Sequence, residues 1–354
     1  MNRFAWLVAS SAIAALIVVA CGGQTAAPSA SPAASAAPAG PKDKVVLTGI
    51  NSTELNLPTL VAIAKDYFGA ENLELSDFVI GASGTLRQAI IAKQYDFGLL
   101  AFVHVPLARL AGSPFKSVIE LHDQEIFGIV VRSQLKDQVK SVKDLRGKKL
   151  GFTTPGSGSW ALGNVYLKKA GLDPEKDVEL VSLGGDNAVF YTALQSGRVD
   201  AIVSFEPIAE RVVTDNVGYF LLDIYAPGSH REQIGSDKAA ALHLVTREDV
   251  IAAKPDVVKR MVNVQKRGLE FIRANSAAAI ADTVLGNAKA AEQFQGLDKS
   301  VVTKVIEHVK SGFGTGCISK SGFDTEMKIS TDYKLVSAPI TFEQFADSSF
   351  VGSC

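Results

Sequence analysis

The sequence predicts an α/β protein made of two successive units followed by a helical C-terminal part. Three observations carry this. Short apolar runs alternate with amphipathic stretches from Lys44 onward, the alternation restarts after the charged residues 141–149, and from Glu248 the apolar spacing is helical. The body from Lys44 to Cys354 exceeds one comfortable core, which points to two domains.

In the first unit, strands are expected at 44–49, 73–80, 97–101, 117–121 and 127–132, with helices at 58–68, 85–93 and 105–111. In the second, strands are expected at 149–153, 178–183, 201–204 and 219–225, with helices at 159–170, 187–196 and 207–214. Gly171 is a helix stop. A return strand at 241–246 precedes helices at 257–275, 276–285 and 299–311. Crossovers between the units are expected near 127–132 and 226–246.

The N-terminus has a separate character. Arg3 and the amino terminus precede an apolar run, residues 5–19, that ends at Val18-Val19-Ala20-Cys21. This is the layout of a secretory signal, and the run is shorter than the ~20 residues of a membrane-spanning helix. The ending resembles the bacterial lipobox, which implies a signal peptide at 1–20 and a lipidated Cys21 on the extracytoplasmic face of the cell membrane; the alternative is an ordinary signal with an incidental Cys. Residues 24–41 are almost entirely Ala, Ser, Pro and Gly, so 21–43 is expected to be a lipidated Cys and disordered tether.

Charge is balanced, 36 basic against 37 acidic residues, with no basic stripe for nucleic acid and no second apolar span for a channel. In an exported chain Cys317 and Cys354 are expected to pair and pin the C-terminus; the alternative is two free thiols. Gly156-Ser-Gly-Ser-Trp-Ala161 matches G-x-G-x-x-A, but a free nicotinamide cofactor is not expected outside the cell. The sequence has neither a G-x-S-x-G elbow nor H-E-x-x-H, and its Cys residues lack zinc spacing. No cofactor, no metal and no enzyme activity are expected.

Four segments carry a family resemblance. Ser141-Val-Lys-Asp-Leu-Arg-Gly-Lys-Lys-Leu-Gly151 resembles the segment that opens the second lobe of ABC-importer solute-binding proteins. Ala193-Leu-Gln-Ser-Gly-Arg-Val-Asp-Ala201, Ser204-Phe-Glu-Pro207 and Asp96-Phe-Gly-Leu-Leu-Ala101 resemble further segments of the nitrate, sulfonate, taurine and pyrimidine-precursor binders, in the same order. The resemblance covers 44–207, and with the Ala/Pro/Ser tether it points to the riboflavin-binding branch. It implies the two-lobed type II periplasmic-binding-protein fold, with parallel-type sheets flanked by helices. Lobe 1 would be 44–130 plus 240–354 and lobe 2 would be 131–239. It also implies a monomer that closes on a small-molecule ligand and docks on an ABC permease served by a separate ATPase subunit. The eukaryotic pyrimidine synthases of this fold carry a Cys-rich active-site motif that is missing here.

Ligands in such folds sit beyond the carboxyl ends of strands, against helix N-termini. Three loops have the right composition, 51–57, 81–85 and 153–159, although plain helix caps explain one Ser or Thr in each. The candidates are Asn51, Ser52, Thr53, Ser83, Thr85, Thr154, Ser157 and Ser159 from the loops, and Phe102, Trp160, Asn187, Tyr191, Phe205 and Glu206 beside them. The resemblance to the riboflavin-binding branch makes riboflavin the leading expectation; the aromatic residues offer faces for a planar ring, and the few cations in these loops disfavour a strongly anionic ligand. Alkanesulfonate, taurine, nitrate and pyrimidine precursors remain alternatives.

Overall fold

The computed structural model describes residues 40–352. The signal, the lipidated Cys21, most of the tether and Cys354 lie outside the described residues. Ten strands form two five-stranded sheets. The first sheet holds β1 (Asp43–Gly49), β2 (Leu73–Ile80), β3 (Phe97–Ala101), β4 (Phe115–His122) and β10 (Leu242–Arg247), in the order β2-β1-β3-β10-β4. The second holds β5 (Gly128–Arg132), β6 (Lys149–Phe152), β7 (Glu179–Ser182), β8 (Ala201–Ser204) and β9 (Gly218–Leu222), in the order β7-β6-β8-β5-β9.

The two sheets exchange strands. β1 runs parallel to β2 and β3, and β10 enters antiparallel between β3 and β4 after the chain has left the second sheet. β6 runs parallel to β7 and β8, and β5 enters antiparallel between β8 and β9 directly after β4. Each sheet is therefore mixed, not purely parallel, and each lobe depends on one strand delivered by a crossover. The expected boundary at 130/131 cuts β5, which pairs only within the second sheet. The crossovers fall just before β5 and β10.

Local sequence explains the elements that position the site. Ser52 caps the helix Thr53–Ala64 by accepting from Leu55 N (3.3 Å). This helix begins five residues before the expected start at Pro58. Pro inside a helix normally costs a hydrogen bond, but Thr53 to Ala62 are all buried, and packing outweighs the loss. The long amphipathic helix Pro255–Ala274 crosses it at Pro58, so closely that a Cβ on Gly268 would lie 2.3 Å from the Pro58 carbonyl oxygen. Helices Ala277–Leu285 and Lys299–Val309 continue the C-terminal part as expected, and Lys320–Asp332 extends it where no helix was expected. Cys317 is disulfide-bonded. Among the described residues no helix is long and apolar enough to cross a membrane.

Candidate functional site

The lobes meet around a polar cluster. Glu54 stands in the first turn of Thr53–Ala64, and Glu206 follows β8; both are fully buried. Glu54 Oε2 accepts from Ser52 Oγ (2.7 Å), and its Oε1 accepts from the Glu206 backbone N–H (2.8 Å). Thr53 N–H donates in return to the Glu206 carbonyl (2.8 Å), so main chain from both lobes is joined here. Glu206 Oε2 accepts from Glu210 N (3.0 Å), and Oε1 pairs with His308 Nδ1 (2.8 Å). His308 comes from Lys299–Val309, and its Nε2 pairs with Asp223 Oδ1 (3.1 Å), just after β9.

Glu54, Glu206, Asp223 and His308, with Phe205, Phe220, Tyr225 and Ser204, line a cavity of about 10 Å³, room for about one water. The Thr53, Ser204 and Tyr225 hydroxyls are buried there or beside it without a hydrogen-bond partner, and such groups are rare unless something else satisfies them. No Lys or Arg lines the cavity.

Burial sets the charges. Removal from water, with the Glu206 charge beside it, pushes the Glu54 carboxyl up to about 8, so it is protonated at neutral pH. Burial also raises Glu206, and the His308 imidazole pulls it back. Burial lowers His308, but its bonds to Asp223 and Glu206 outweigh that and carry it to about 10. Asp223 ends below the usual carboxylate range despite burial, because it holds His308. The cavity thus presents a neutral acid and an imidazolium clamped between two carboxylates. A carboxyl raised in the fold binds its proton more tightly there than in the unfolded chain, so its contribution is present below about pH 4.5 and is lost as pH rises to about 8. Glu54→Gln is expected to gain on the wild type, by on the order of 3 kcal/mol, between pH 5 and pH 8 in urea unfolding.

A second cross-lobe cluster lies nearby. Arg87 Nη1 donates to the Gly156 carbonyl (2.8 Å) and pairs with His104 Nδ1 (3.0 Å). Burial and Arg87 hold His104 well below the usual imidazole range, so it is neutral. Thr154 Oγ1 sits beside Gly84 of the opposite lobe, buried and without a partner.

The expected residues divide. Phe205 and Glu206 line the cavity, and Ser52 and Thr53 stand behind it, bonded to Glu54 and to the Glu206 carbonyl. Asn187 Nδ2 donates to the Asn51 carbonyl (2.9 Å) across the lobes, beside a second, larger recess. Ser83 is buried at the start of the helix Ser83–Ile91, whereas Thr85 faces solvent. Ser157 caps the helix Gly158–Lys169 by accepting from Trp160 N (3.1 Å), and Ser159 Oγ accepts from Thr153 N (3.0 Å); both hydroxyls serve the loop itself. Trp160 packs half-buried against the core. Phe102 is not at the cleft: its ring lies 4.7 Å from Phe345 and 5.8 Å from Phe323 in the core of lobe 1. Tyr191 points outward, donating to Asp215 (2.8 Å) under the Arg211 guanidinium (4.5 Å). Glu54, Asp223, Tyr225 and His308 were not foreseen. Glu54 reads as an ordinary acid at a helix N-terminus, and His308 as one His on an amphipathic helix.

Comparison with known proteins fits this architecture. Residues 56–279 match the model of the NMT1/THI5 like family. Riboflavin-binding protein RibY of Chloroflexus aurantiacus is 26% identical over 271 residues, covering 73% of this chain and 72% of that protein. The 4-amino-5-hydroxymethyl-2-methylpyrimidine phosphate synthase of Aspergillus parasiticus is 24% identical over 265 residues, 68% of this chain and 70% of the synthase. The alkanesulfonate-binding protein SsuA of Xanthomonas axonopodis pv. citri superposes with a TM-score of 0.68 at 16% identity, covering 88% of this chain and 100% of SsuA. The type II periplasmic-binding-protein fold is thereby shown.

Proposed function

The chain belongs to the NMT1/THI5-like family, and from that premise we propose that it is the extracytoplasmic solute-binding component of an ABC importer. In this reading it is a monomer, held at the membrane through Cys21, that captures a planar nitrogen heterocycle and passes it to a permease powered by a separate ATPase subunit. The observation that carries the reading is the cavity between the lobes, walled by a neutral Glu54, by Glu206 and by an imidazolium whose two nitrogens are already engaged. An oxyanion would meet carboxyl groups there and no free cation. A heterocycle edge that pairs a donor with an acceptor suits a protonated carboxyl, which offers one of each.

Riboflavin is the lead ligand, supported by the likeness to RibY. A single-ring aminopyrimidine is the second reading, supported by the likeness to the pyrimidine phosphate synthase. Catalysis is not part of the proposal. Cys317, the one cysteine among the described residues, is disulfide-bonded.

Riboflavin fluorescence on titration with the full chain in detergent tests the reading, with melting scans against an aminopyrimidine, taurine and nitrate. Saturable quenching, or a rise of roughly 5 °C at a hundredfold excess over Kd with a heterocycle, is expected. A shift with taurine or nitrate alone would overturn the heterocycle class.

A further inference from the structure

The helix Lys299–Val309 packs on Ala277–Leu285 and Thr53–Ala64 of the first lobe and on Ile208–Thr214 of the second, and two of its side chains, four apart, pair with acidic groups of the second. Lys304 Nζ lies 3.8 Å from Glu210 Oε1, and His308 bridges Glu206 and Asp223. The Lys304 pair is long and largely exposed on the lysine side, so it holds weakly. His308 is different, because Glu206 is only 1% exposed and no water can take over its charge.

We propose that His308 is a positioning residue that ties closure of the lobes to the proton on its imidazole, so that losing this proton releases the second lobe. The inference deepens the solute-binding reading and rests on it for its meaning. With the proton, both ring nitrogens donate to carboxylates of the second lobe. Without it, one nitrogen turns a lone pair toward a carboxylate oxygen, and one cross-lobe bond becomes a repulsion. The titratable groups around the ring are then acidic: Glu206 and Asp223 bonded to it, Glu54 on the same cavity, and Glu210 next to Glu206. The Tyr225 ring lies 4.8 Å away, and burial lifts its phenol well above the usual range, so it supplies no charge. On the helix's own side, Lys304 already faces Glu210, Lys310 donates to the Asn275 carbonyl (2.5 Å), and His122 is neutral by burial. No other cation there substitutes for His308. Since His308 titrates at about 10 when the lobes are closed and near 6.5 when free, release falls between these values.

The test uses no ligand. Gln88→Cys and Glu175→Cys, exposed on opposite lobes, carry a fluorophore pair, and the distance between labels is followed from pH 6 to pH 10.5 in the full chain. The expected result is a short distance at pH 6 that lengthens in one step with a midpoint at or below about 10. His308→Gln should remove the step, and His308→Lys, which keeps a cation, should move it to higher pH. A wild-type distance that does not change, or the same step in His308→Gln, overturns the proposal; if His308→Gln does not fold, the His308→Lys shift decides. Failure to bind riboflavin with the pH step intact would sink the ligand reading alone.

Discussion

Replacing Glu206 with alanine is expected to remove about 3–5 kcal/mol of stability, because it leaves half of a buried ion pair without its partner. Glu206 joins three structures at one residue: its side chain holds His308 (2.8 Å) and the Glu210 amide (3.0 Å), and its backbone exchanges bonds with Thr53 and Glu54 of the opposite lobe. Glu206→Gln separates charge from shape. The amide keeps the volume and the backbone bonds but withdraws the negative charge, so His308 should fall from about 10 toward its ordinary value. Urea unfolding reads the stability of both variants, and NMR titration of the imidazole reads the second effect. A wild-type-like His308 titration in Glu206→Gln would show that Asp223 alone holds the proton.

Gly185→Val is expected to weaken ligand capture while the melting temperature stays near the wild-type value. Gly185 lies in the loop between β7 and Asn187–Gln195, and a Cβ there would stand 2.6 Å from Ala82 N and 2.7 Å from Gly81 C of the first lobe. Both are main-chain atoms at the start of a helix and have no rotamer with which to yield. Overpacking of this kind costs roughly 1–3 kcal/mol. Here the lobes avoid the cost by staying apart, so it falls on closure and not on folding. The closed population, and with it the apparent affinity, should drop roughly 5- to 150-fold. A titration beside a melting scan checks this; a large loss of Tm with unchanged affinity would place Gly185 in the fold of lobe 2 instead.

The fold was legible wherever pattern and packing agree. Residues 73–80 and 97–101 form strands over the bounds their sequence suggests, because apolar runs between turn residues have no competing reading. Pro58 misplaced the start of its helix, since a helix buried on every side does not obey the rule for exposed ones. The return of β10 to the first sheet was legible as the strand after a crossover at 226–246, whereas β5 was assigned to the first unit although it pairs in the second sheet, since alternation shows how often strands occur and not which sheet they join. At the site, Glu206 was visible through Ser204-Phe-Glu-Pro207. Its partners were not, because Glu54 lies 152 residues and His308 102 residues away in the chain, and only the closed lobes bring them together. Phe102 and Tyr191 show the reverse: one follows a strand's carboxyl end and the other stands near a helix start, but the core claims one ring and the surface the other.

In the proposed function the lobes close on a planar nitrogen heterocycle at the Glu54–Glu206–His308 cluster. Calorimetric titration of the full chain at pH 7 with riboflavin, an aminopyrimidine, taurine and nitrate tests it most directly. One-to-one binding of a heterocycle is expected, weakened in Glu54→Leu but retained in Glu54→Gln, whose amide also offers a donor and an acceptor, with the solute recovered unchanged and no heat from the oxyanions. Saturable binding of taurine or nitrate with both heterocycles silent, or conversion of a heterocycle into product, would contradict it.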